Sequence, residues 1–194
     1  MLREKLKNYN LILASGSPRR QQFFKDLDLD FEIRLKEIEE VYPPELKGFE
    51  ITDFLAELKS YAFDGALKEN DLLITSDTIV WHNNIALGKP KDEQDAFKTL
   101  QSLSNATHEV ITSVCFKTMD TTTVFHETTK VTFNAISDEA IQYYISNYKP
   151  YDKAGAYGIQ EWIGAIAVSK IEGSYANVMG MPVDKVYEYL NQLP

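Results

Sequence analysis

LILASGSPRRQQFF, residues 11–24, decides how this chain is read. Leu11, Ile12 and Leu13 make a buried strand, Ser15, Gly16 and Ser17 a small turn, and Pro18 opens a helix with Phe23, Phe24 and Leu27 on one side. Ser17 stands where a hydroxyl caps a helix, and Pro18 where its missing N–H costs nothing. A strand that passes through small residues into a helix gathers backbone N–H groups at the positive end of the helix dipole. Two adjacent cations, Arg19 and Arg20, gain nothing from that end unless an anion accompanies them. Taken alone, they also fit an exposed helix face. The segment contains neither GxxxxGK[ST] nor GxGxxG.

Outward from this unit, residues 31–35 alternate as a second strand, and the prolines at 43 and 44 mark a connector. A helix capped by Thr52 is expected to carry Phe54, Leu55, Leu58, Tyr61 and Ala62 on one face. Residues 71–76 read as a strand ending just before Asp77, and 78–82 as its continuation to a turn at Asn83 and Asn84. Further helices are expected over 92–103, 137–146 and 182–190, an antiparallel ribbon over 108–118 and 122–133, and a late strand over 163–169. Residues 148–158 are too rich in turn formers for either regular element. Helices alternating with strands, interrupted by hairpins, predict an α/β fold with a mixed twisted sheet flanked by helices. The length of 194 residues fits one domain over 1–194.

A net charge of −9 argues against stable binding to nucleic acid or to an anionic membrane surface, so any anion site must be a local concentration of cations. No apolar run reaches transmembrane length, and the charged first ten residues do not read as a secretory leader. Cys115, the single cysteine, lies in an apolar strand-like run and reads as a small buried hydrophobe. A reducing cytoplasm fits. Scattered His82, His108 and His126 form no zinc pattern.

The ordered blocks SGSPRR (15–20), LAELK (55–59), SDTIV (76–80), LGKP (87–90), LSNATHEVIT (103–112), DKAGAYGIQ (152–160) and IEGSYANVMGMP (171–182) resemble the Maf-like nucleotide pyrophosphatases over nearly the whole chain. The resemblance implies two lobes around a nucleotide-binding cleft, similar to the inosine triphosphatase-like fold. It also implies a homodimer, a nucleoside triphosphate substrate and a divalent metal, Mg²⁺ or Mn²⁺. The GIQ block is that of the branch acting on dTTP and UTP.

Individual residues then acquire expected roles. Asp77, alone, fits a capping carboxylate; the resemblance makes it the catalytic group that positions or deprotonates water, with metal assistance. Glu39 and Glu40 are metal candidates beside Asp77, although a charge pair in a loop is also ordinary surface. Lys59 and Lys89 match blocks implying phosphate binding and charge stabilisation, joining Ser15, Ser17, Arg19 and Arg20. The resemblance also implies that Lys153 and Gln160 lie at the base pocket, where an amide offers both a donor and an acceptor to uracil or thymine; on composition alone Gln160 equally fits a surface glutamine on a structural turn. Glu161 and Trp162 stand where the family commonly has a glycine after the glutamine. That departure keeps open an altered base preference, and a nucleotide-binding regulator with weak catalysis is the remaining alternative.

Overall fold

The computed structural model describes residues 2–194. Its elements, in order, are α1 (Leu2–Lys5), β1 (Asn10–Leu13), α2 (Pro18–Asp26), β2 (Glu32–Ile33), α3 (Phe49–Tyr61), β3 (Asp71–His82), β4 (Ile85–Leu87), α4 (Glu93–Leu103), β5 (Thr107–Lys117), β6 (Thr122–Phe133), α5 (Asp138–Tyr148), a 3₁₀ turn (Ala154–Ala156), α6 (Trp162–Ala167), β7 (Val168–Glu172), α7 (Tyr175–Val178) and α8 (Val183–Gln192). The seven strands pair in the order β2-β1-β3-β5-β6-β7, with β4 on β3. The sheet is mixed, as expected: β1 runs parallel to β2 and β3, whereas β4 and β7 pair antiparallel.

The chain divides into two compact units. The first comprises residues 1–77, 112–127 and 180–194. Its β1 is apolar at successive positions because both faces are buried: Leu11 and Leu13 join Phe24, Leu72, Ile74, Phe116 and Leu190, and Ile12 packs with Phe63 and Leu73. Burying an aliphatic side chain of this size contributes about 1.5–3 kcal/mol, which fixes the strand that delivers the 15–17 turn. Cys115 is fully buried, and its thiol pKa is raised by burial, in keeping with an apolar role.

The second unit comprises residues 78–111 and 128–179, around Val80, Leu100, Val110, Phe133, Ile141, Tyr144, Tyr157 and Ile163. Asn83 and Asn84 turn β3 into β4 with φ of 50° and 61°, the left-handed pair a two-residue hairpin requires. Among the described residues no helix is long and apolar enough to cross a membrane.

Four local expectations need correction. Helix α3 begins at Phe49, capped by Gly48 with φ 53°; Thr52 lies inside it, its hydroxyl donating back to the Phe49 carbonyl at 3.1 Å. The second strand is only Glu32–Ile33, pairing with Ile12 and Leu13 of β1. Residues 162–167 are helical, and the strand starts at Val168. Ile163, Gly164 and Ala167 are buried at helical spacing while Ala165 and Ile166 are exposed, a pattern hidden inside a short apolar run. Asp77 does not follow a strand; it sits within the continuous twelve-residue β3.

Candidate active site

In the first unit, the turn after β1 is held by hydrogen bonds of its own and of α2. The Ser15 hydroxyl accepts from the Ser17 N–H at 3.3 Å, and Gln21 Nε2 donates to the Ser15 carbonyl at 3.1 Å. Ser17 caps α2 as expected, accepting weakly from the Arg20 N–H at 3.5 Å. Arg20 reaches across this turn: its Nε donates to the Gly180 carbonyl at 2.8 Å and its Nη1 to the Ser76 carbonyl at 3.0 Å. The guanidinium is therefore a strut as well as a charge. Burial lowers its pKa, and neighbouring Asp77 opposes that shift. Arg19, one position earlier, is half-buried on the same helix.

Asp77 projects from β3 with its side chain only 9% exposed. Lys59, in the last turn of α3, places its Nζ 2.6 Å from Asp77 Oδ1 and 3.0 Å from Glu40 Oε1. One ammonium thus bridges two carboxylates from separate parts of the sequence. Glu39 is exposed and makes no such contact; its carbonyl accepts from the Val41 N–H. Among the described residues no group of three or more His, Cys, Asp or Glu is arranged around a metal position. Two converging carboxylates already holding a cation nevertheless suit Mg²⁺, which takes one or two carboxylates and completes its shell with water and substrate phosphate. Glu40 and Asp77 fit that donor set.

The second unit gathers the other predicted residues. Lys89 is exposed on the connection between β4 and α4, next to Gly88, whose carbonyl accepts from the Gly155 N–H at 3.1 Å. Gly155 has φ 69°, and a Cβ there would fall 2.6 Å from Val80 Cγ2, so only glycine lets the turn lie so close. Lys153 is buried, with Nζ 2.7 Å from Asp152 Oδ1 and 3.2 Å from Glu161 Oε1. Tyr157 is held beneath the turn by His108, whose Nε2 lies 2.8 Å from the phenol oxygen. Burial lowers the His108 pKa to about 3, so the ring is neutral. Ile159 points inward and Gln160 outward, exposed.

Sequence reading missed Tyr144. Its hydroxyl accepts from the Gly158 N–H at 3.0 Å and donates to Glu161 Oε2. An aromatic at a core position of a helix reads as packing, and nothing in the sequence marks its oxygen as a loop anchor.

The Maf-like protein family model matches residues 10–193. The chain belongs to this family. The Maf-like chain is 72% identical over 193 residues to the dTTP/UTP pyrophosphatase of Flavobacterium johnsoniae, covering 100% of both. It is 66% identical to the protein of that name from Flavobacterium psychrophilum, covering 98% of this chain and 97% of the relative. With that from Christiangramia forsetii the identity is 53%, covering 100% and 98%. Among solved structures, the Staphylococcus aureus Ham1 protein superposes with TM-score 0.54 at 19% identity, covering 94% of this chain and 98% of that one. A HAM1 protein from Coxiella burnetii gives 0.52 at 13%, covering 95% and 100%. These two structural likenesses support the expected fold class.

Proposed function

We propose that this chain hydrolyses dTTP and UTP to the nucleoside monophosphate and pyrophosphate. Full-length relatives at up to 72% identity carry the name dTTP/UTP pyrophosphatase, which supports the reaction class. The observation that carries the mechanism is the Lys59 ammonium held between Asp77 and Glu40 beside the Arg20 strut.

In this reading the 15–17 turn, Arg19, Arg20 and Lys59 of the first unit receive the triphosphate, and Lys89 is the phosphate-binding candidate of the second. Arginine supplies directional donors and lysine a movable point charge. Asp77 orients a water, whose oxygen attacks the α-phosphorus; the α–β bridging P–O bond breaks and pyrophosphate leaves. The water proton passes to the Asp77 carboxylate at Oδ2, since Oδ1 is bound to Lys59. Lys59 then faces charge developing on the phosphoryl oxygens from a position already fixed by two carboxylates, so little reorganisation is needed. Asp77 and Glu40 would hold Mg²⁺ or Mn²⁺, which when bound neutralises triphosphate charge and acidifies water. Gln160 reads the pyrimidine edge and Lys153 supports its loop.

The test is a panel of UTP, dTTP, CTP and GTP with Mg²⁺, with products separated by ion exchange. The proposal expects monophosphate and pyrophosphate, fastest from UTP and dTTP. Release of orthophosphate, or a purine preference, would overturn it.

A further inference from the structure

Glu161, directly after Gln160, is not a loose surface carboxylate. Its side chain is 20% exposed and both oxygens are engaged: Oε2 accepts from the Tyr144 hydroxyl, and Oε1 lies 3.2 Å from Lys153 Nζ. Glu161 occupies the N-cap position of α6 yet makes no capping bond, so the carboxylate is committed to these partners instead. Burial and then Glu161 raise the Tyr144 pKa, so the hydroxyl keeps its proton and can only donate to Glu161. The same oxygen accepts the Gly158 N–H at 3.0 Å. Backbone Gly158, phenol Tyr144, carboxylate Glu161 and ammonium Lys153 therefore form one chain of bonds.

The chain clamps the turn that carries Gln160. A Cβ on Gly158 would lie 2.8 Å from Glu161 Cδ and 3.1 Å from Gln160 Nε2, so both side chains flank the same point. A Cβ on Gly164 would collide with the Ile159 carbonyl at 1.8 Å, so α6 is packed directly on the turn. Asp152 and Glu161 both lie against the Lys153 ammonium and neutralise it.

We propose that Glu161 is a specificity-determining positioning residue, fixing the Gly158–Gln160 turn through Tyr144 and withholding the Lys153 ammonium from the base. This rests on the reading of Gln160 as the base contact. Uracil and thymine present an N3–H donor beside carbonyl acceptors, which a neutral amide matches with its own acceptor and donor. Cytosine presents an acceptor at N3, which a released ammonium would welcome. Glu161 thus favours uracil and thymine over cytosine by removing a cation that the wrong base would use.

The experiment measures kcat and KM for UTP, dTTP and CTP with wild type, Glu161→Ala, Glu161→Gln, Tyr144→Phe and the double variants Glu161→Ala/Tyr144→Phe and Glu161→Ala/Lys153→Met. Hydrogen exchange at the Gly158 amide and thermal melts accompany them. Glu161→Ala should raise KM for UTP with kcat nearly unchanged and lower the UTP-to-CTP ratio of kcat/KM about tenfold, the size of one misplaced hydrogen bond. Tyr144→Phe should loosen Gly158 exchange, and adding it to Glu161→Ala should cost little more, because both break one chain. Glu161→Gln keeps an acceptor for Tyr144 and should hold Gly158 protected while part of the discrimination is lost. Removing Lys153 as well should return the ratio toward wild type. A lower melting temperature with an unchanged ratio in Glu161→Ala would overturn the proposal, as would a ratio insensitive to Lys153. Wild type that releases no pyrophosphate from UTP would instead sink the functional reading, and the specificity role with it.

Discussion

Replacing Lys59 by methionine separates the electrostatic and catalytic duties of the site. The substitution keeps most of the side-chain volume but removes the ammonium that lies 2.6 Å from Asp77 and 3.0 Å from Glu40. Breaking a buried ion pair from one side costs about 3–5 kcal/mol, because the remaining charge is left without compensation. Here Asp77 is nearly buried, but Glu40 is 46% exposed and Lys59 18% exposed, so solvent screens part of the loss. We expect destabilisation of about 2 kcal/mol, or roughly 6 °C in melting temperature for a chain of this size. The two carboxylates would then face a position without its cation. Mg²⁺ at ten times its dissociation constant should restore about 1.4 kcal/mol, the mass-action value for a site present only in the folded state. The assay is thermal and urea unfolding of wild type and variant across a Mg²⁺ titration, with Ca²⁺-free buffers and a Glu40→Gln/Lys59→Met control. The control should lose most of the rescue. A Lys59→Met protein as stable as wild type, or equally indifferent to Mg²⁺ with Glu40 present or absent, would refute the cation site.

Other outcomes follow from the same geometry. Arg20→Ala should destabilise by about 2 kcal/mol in urea unfolding, because it deletes charged donors to the Gly180 and Ser76 carbonyls, and Arg19→Ala should weaken triphosphate affinity. Gln160→Ala should lower kcat/KM for UTP and dTTP more than for CTP, measured by initial rates; an unchanged preference would dismiss Gln160 as the base contact. His108 is neutral when folded, with its pKa lowered to about 3, so below its ordinary value of 6.5 the unfolded chain takes up a proton that the folded chain refuses. Its contribution is thus lost as pH falls from about 6.5 toward 3, at up to about 1.4 kcal/mol per pH unit, and His108→Leu should flatten that slope in urea melts. Light scattering should give the mass of a homodimer; a monomeric mass at every concentration would reject that expectation.

The sequence disclosed the strand-turn-helix at 11–24 because three signals agree there: a short apolar run, a capping serine and a proline at the first helical position. It disclosed the Asn83–Asn84 hairpin for the same reason, since few residues tolerate consecutive positive φ. It misplaced α6, where an apolar run of small residues suits either period and tight packing of Gly164 on Ile159 decided the outcome. The start of α3 was obscured by Thr52, a good cap in general but a residue whose hydroxyl here bonds back into its own helix. At the site, residue types were legible but engagements were not. No pattern along the chain says that Lys59 joins Asp77 to Glu40 rather than to Glu39, or that Arg20 spends donors on two carbonyls. Such pairings are set by β3, α3 and the residue 37–41 segment meeting in space, which local spacing does not encode. The Tyr144–Glu161 contact is of that kind, spanning seventeen residues through a turn.

The most direct test of the central claim is hydrolysis of UTP in ¹⁸O-enriched water by wild type and by Asp77→Asn at saturating Mg²⁺, read by mass spectrometry of both products. The account predicts one ¹⁸O in the monophosphate, unlabelled pyrophosphate, and a turnover number reduced about 10²–10⁴-fold in the variant, which loses the general base but little volume. Label appearing in orthophosphate alongside UDP, or near-normal turnover in Asp77→Asn, would contradict it.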